Sequence, residues 1–60
     1  MEYFDVIYLS PVGNQGTHYS LEAKNAQEAE IMSPIILSNG TEWAPSQFTV
    51  LDVSIGKPPS

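Results

Sequence analysis

The sequence predicts an α+β domain of strand, strand, helix, strand order: a three-stranded sheet in spatial order 2-1-3 with one kinked helix packed on one face. Three observations carry that expectation. Residues 3–9 (YFDVIYL) and 47–55 (QFTVLDVSI) are dense in β-branched and aromatic side chains, and residues 17–24 (THYSLEAK) alternate between apolar and polar. From Asn25 onward the apolar spacing changes to three or four, the period of a helix lying on a sheet.

The first strand sets Tyr3, Asp5, Ile7 and Leu9 against Phe4, Val6 and Tyr8. Both faces are largely apolar, which suits a central strand. Residues 10–16 (SPVGNQG) form a Pro, Asn and Gly turn cluster that returns the chain as a hairpin. In the second strand Tyr19, Leu21 and Ala23 point one way and His18, Ser20, Glu22 and Lys24 the other, so it reads as an edge strand with a solvated, charged side. A right-handed crossover through the helix then places the last strand beside the first.

Asn25 is the expected helix cap, with Glu28 three residues on completing a capping-box pattern and Glu30 also near the positive end of the dipole. Ala26, Ala29, Met32 or Ser33, and Ile36 make the stripe that faces the sheet. Pro34 interrupts this pattern, because a proline removes the amide bond to residue 30 and costs about 3 kcal/mol in an unkinked helix. Either the helix bends and continues through Leu37, with Gly40 as a left-handed terminator, or it stops near Met32. In the second case residues 35–38 pair with residues 41–44 across an Asn39-Gly40 turn. The first reading is preferred, since a seven-residue alanine helix buries too little to cover a sheet and Ser33-Pro34 suits the start of a helical turn. It keeps Ile35 and Ile36 on the helix, where they help to cover the sheet. Residues 43–46 are a connector, and the last strand puts Phe48 and Val50 on one face and Leu51, Val53 and Ile55 on the other. The domain spans residues 1–56, and residues 57–60 (the end of GKPPS) are expected to be a disordered tail.

Composition restricts function more than it specifies it. A 60-residue chain holds one small core, worth roughly 3–5 kcal/mol. It has no cysteine and one histidine, which leaves neither a disulfide nor the usual Cys/His zinc site to reinforce that core. Seven acids against two lysines and no arginine give a net charge of −5, the wrong sign for neutralising phosphates, so no direct nucleic-acid binding is expected. The N-terminal MEYFDVIYLS lacks the basic start and long apolar run of a secretory signal, and the longest aliphatic run is residues 35–37, so neither export nor a membrane span is expected. The expected location is cytoplasmic.

No residue pattern points to catalysis, a metal or a cofactor. Gly13-Asn14-Gln15-Gly16 has the GxxG spacing of a nucleotide clamp but joins two strands in an acidic chain, without the basic residues such a loop carries. Asn39-Gly40-Thr41 matches a glycosylation acceptor without an export signal. His18 lies near Ser20 and Glu22, yet a three-stranded domain offers no cleft for a relay.

The expected function is therefore non-enzymatic. One helix covers one face of a sheet, so either Tyr3, Ile7 and Leu9 or Phe4, Val6 and Tyr8 must lie uncovered beside the last strand, and an apolar aromatic face of that kind usually marks an association surface. The candidate interaction residues are Phe4, Val6, Tyr8, Phe48 and Val50 on that face, the acidic helix residues Glu28 and Glu30, and Trp43. Trp43 is expected mainly as a lid over one end of the core. In composition and layout the chain resembles small proteins of phages and mobile elements; the uncovered aromatic face and the −5 charge suggest a modulator of that type, which binds and inhibits a host protein. The alternative is an assembly subunit that forms a homo-oligomer through the same face.

Overall fold

Strand β1 (Glu2–Leu9) runs through the middle of a three-stranded sheet, with β2 (Gln15–Ala23) and β3 (Thr49–Ile55) antiparallel to it on either side, in order β2-β1-β3. Class and strand order are those the sequence predicts. The computed structural model describes residues 1–59; Ser60, the last residue of the expected tail, lies outside them. The β1–β2 loop is closed by its own polar groups, with the Ser10 amide donating to Asn14 O (2.8 Å) and the Asn14 amide donating to Ser10 Oγ (3.1 Å).

Each edge strand carries one residue more than β1 along the pairing. Phe4 faces Leu21 and Val6 faces His18, so Tyr19 and Ser20 together oppose Asp5. On the other side Ile7 faces Asp52 and Tyr8 faces Val50, which leaves Leu51 as the extra residue. Such bulges reset which side chains point in. His18 consequently shares the helix side with Leu21 and Ala23, while Tyr19 is 71% exposed. Strict alternation predicts the reverse for both, and the bulge is the reason it fails. In β3 Val50 and Val53 both pack on the core, where uninterrupted alternation separates them.

The β2 bulge is held by a specific contact. Ser20 has φ 56°, the one positive φ among the described non-glycine residues, a conformation costing about 1–2 kcal/mol. Its amide donates to Asp5 Oδ1 at 3.1 Å. From the opposite edge Gly56 donates its amide to Tyr3 O (2.9 Å), and a Cβ there would stand 2.5 Å from Asp5 Oδ1 and 3.0 Å from the Phe4 carbonyl carbon. Only glycine allows that approach. Asp5 therefore touches both edge strands from the central one.

Helix α1 (Ala26–Ser38) starts where the sequence predicts: the Glu28 amide donates to Asn25 Oδ1 at 2.8 Å. The reciprocal half of the box is displaced by one residue, since Glu28 Oε1 accepts from the Lys24 amide (3.0 Å). The helix continues through Pro34. Glu30, whose carbonyl loses its amide partner to the proline, lies on the exposed part of the helix, where water can replace the missing donor. At the far end Asn39 (φ −61°, ψ 126°) and Gly40 (φ +81°) are the central residues of a type II turn closed by Thr41 N to Ser38 O at 3.0 Å. Asn39-Gly40 thus ends the helix and makes no hairpin. A 3₁₀ turn, Pro45–Gln47, follows, tied by the Ala44 amide to Gln47 Oε1 (2.8 Å), so the last strand begins at Thr49 and not at Gln47.

The core consists of Phe4, Val6, Leu21, Ala23 and Ala29, with Met32, Val50 and Val53 packed around it. On the helix the residues that seat against the sheet are Ala29 and Ser33, both fully buried. Ile35 and Ile36, expected there, are 54% and 45% exposed. Phe4 and Leu21 fill the core from the sheet side, Ala29 and Ser33 seat over them, and Met32 packs beside, so the helix meets the sheet without Ile35 or Ile36.

Val6→Ala should cost about 2 kcal/mol, from two buried methyl groups and the cavity they leave. Ile35→Ala should stay within about 0.5 kcal/mol of wild type, since its side chain is largely in water. Urea denaturation of the two variants measures both. In the same assay Asp5→Ala should cost about 2 kcal/mol by orphaning the Ser20 amide, whereas Ser20→Gly should stabilise by about 1 kcal/mol.

Candidate functional site

Of the expected interaction residues, Phe4 (3% exposed) and Val6 (fully buried) lie in the core beneath α1, and Tyr8 and Val50 are paired on the same side. The Phe48 ring tilts against Tyr8 with centroids 6.1 Å apart, and Trp43 stands edge-on to Phe48 at 6.5 Å. Phe4, Val6, Tyr8 and Val50 of the sheet and Phe48 just before β3 thus do not form an open docking face: the helix covers the even-numbered side of β1. Half-buried Trp43 closes one end of that layer as a lid.

The uncovered face carries Tyr3, Asp5, Ile7 and Leu9 along β1. Across the pairing it is bordered by Glu22, Thr17 and Gln15 of β2 and by Ser54, Asp52 and Thr49 of β3. Its apolar line is one strand wide with polar rows on both sides, narrower than the broad aromatic face the sequence suggests. Tyr19 and Leu51, displaced outward at the bulges, add exposed apolar surface near it.

A second apolar surface appears where the sequence pattern assigns none. Ile31 is 59% exposed and Ile35 54%; four residues apart, they stack on the side of α1 opposite Ala29 and Ser33. Helical spacing puts Glu28 in line with this pair, one turn before Ile31, and Glu30 about 100° round the helix from it, and the last turn has no basic residue. Total accessible surface is 4004 Å², close to the roughly 3,900 Å² expected of a compact monomer this size, so the isoleucines are not exposed by loose packing. The signal was present in the sequence: the helix has two apolar stripes, Ala29-Ser33 and Ile31-Ile35, and periodicity alone does not say which is inward.

His18 faces the helix, its Nδ1 2.8 Å from the hydroxyl of buried Ser33. The two join β2 to α1 and satisfy each other's polar atoms. Asp5 accepts the Ser20 backbone amide, Glu22 pairs with Tyr3 on the opposite face of the sheet, and the hydroxyl that meets this ring is that of Ser33, so Ser20 and Glu22 form no relay with it. Burial pushes the His18 pKa below its ordinary value of 6.5. No pocket opens among the described residues, and no cluster of three His, Asp or Glu side chains among them could hold a metal. None of their helices is long and apolar enough to cross a membrane. No family model matches this chain, and no curated protein or solved structure is significantly similar to it.

Because the folded pKa of His18 is depressed, the unfolded chain binds this proton more tightly. The stability it contributes is fully present above about pH 6.5 and is lost as pH falls through the lower folded value. Urea midpoints measured across that window should fall with acidification in the wild type. His18→Gln, whose amide oxygen can still accept from Ser33, should flatten that part of the profile.

Proposed function

We propose that this chain is a small non-enzymatic interaction module that works by occupying a surface of another protein. One observation supports this most: the helix turns its small residues, Ala29 and Ser33, to the sheet and its isoleucines, Ile31 and Ile35, to solvent. Completing the burial of a half-exposed isoleucine is worth about 1 kcal/mol or more, which a partner can supply and the monomer cannot. On this reading the chain acts as a modulator or inhibitor, and a host protein is the natural target of a phage-type product. With no arginine and a charge of −5, a protein fits better than a nucleic acid.

A second reading, an assembly subunit, draws on the sheet face turned away from the helix, where half-buried Tyr3, Ile7 and Leu9 lie. Sedimentation velocity at micromolar concentration separates the two. The module reading expects a monomer that retains a specific protein from a bacterial lysate. A stable homo-oligomer that retains nothing would overturn it in favour of the subunit.

A further inference from the structure

Resting on the interaction-module reading, we propose that the outer face of α1 is the docking surface and that its occupant is a basic amphipathic helix of the partner protein. Three features of the molecule narrow the choice. Both sheet edges are interrupted by a bulge, at Tyr19-Ser20 and at Leu51, which breaks the run of free backbone groups that an added strand requires. On the open sheet face Tyr3, Ile7 and Leu9 are half-buried between polar rows, and exposed Tyr19 and Leu51 sit singly at the bulges of opposite edge strands. The isoleucine stripe of α1, by contrast, projects freely and matches the width of a single helix, the geometry in which apolar anchors three and four residues apart interlock.

Charge selects the occupant. Glu28 lies in line with the isoleucines and Glu30 about 100° round the helix from Ile31, the helix contains no basic residue, and both lysines of the chain, Lys24 and Lys57, lie outside it. A second copy of this chain is a poor fit. Packed antiparallel on the stripe, it would set Glu28 and Glu30 of one protomer beside the negative C-terminal end of the other's helix, with no cation in that last turn to meet them. A parallel copy would bring glutamates together. A segment with leucine-like anchors flanked by Lys or Arg meets both the isoleucines and the acids.

The test uses the full chain, ¹⁵N-labelled, titrated with a peptide of about 14 residues made of Leu and Lys, the leucines at helical spacing. A control peptide of the same composition has its apolar face scrambled. Saturable shifts centred on Glu28, Ile31 and Ile35, weakened by raising the salt from about 50 to about 300 mM, are expected from the first peptide. Ile31→Gln with Ile35→Gln should reduce that affinity roughly tenfold or more while the dispersed spectrum shows the fold intact. Shifts confined to Tyr3, Ile7 and Leu9, equal binding of the scrambled control, or no saturable binding would each overturn the proposal. The lysate experiment separates the two levels: a partner retained equally by the double variant refutes this surface but leaves the module, whereas no partner for the wild type refutes the module itself.

Discussion

Asp5 is the point on which the sheet depends. A carboxylate in the middle of an otherwise apolar central strand looks misplaced, yet it accepts the amide of Ser20 and lies against the bare backbone of Gly56. The first contact offsets the cost of a left-handed serine and holds the extra residue of β2 in place. The second brings the end of β3 alongside β1. With the β2 bulge in place, Leu21, Ala23 and His18 all point under the helix. Slipped by one residue, the strand would bury Tyr19 in place of His18 and leave the buried Ser33 hydroxyl without its partner.

Helix seating follows from that arrangement. Ala29 and Ser33 seat over Phe4 and Leu21 with Met32 packed beside them, and Ile31 and Ile35 turn outward. The polar pair of His18 and Ser33 fits the same logic, since a buried hydroxyl needs a partner and the bulge supplies one. The described residues hold no second α-helix to cover what remains. Exposed apolar surface is thus a consequence of how the core closes, and the functional proposal grows from the form that surface takes.

Much of the architecture was legible in the sequence because it rests on strong local patterns. Two-sided apolarity made β1 central, Asn25 with Glu28 marked the helix start, and Gly40 marked its end. The face assignments were not legible, for a definite reason. Each depends on parity along a strand, and one inserted residue per edge strand inverts it. The visible trace of the β2 bulge was Asp5, an acid at a central position needing a local donor. On the helix Pro34 drew the interpretation toward coverage by Ile35 and Ile36, whereas the volume opposite them decided the matter. Phe4 and Val6 lie inside for a separate reason: β1 alternates as the sequence predicts, but periodicity does not say which of its two faces the helix covers, nor that the isoleucines of α1 face outward.

The central claim is that the helix sits on the sheet through its small residues. Methyl-to-methyl nuclear Overhauser contacts in the labelled wild-type chain test it most directly. The account predicts contacts from the Ala29 methyl to Val6, Leu21 or Ala23, and none from the Ile31 and Ile35 δ-methyls to any sheet residue. Strong contacts from Ile35 to Val6 or Val53, with the Ala29 methyl free of the sheet, would contradict it.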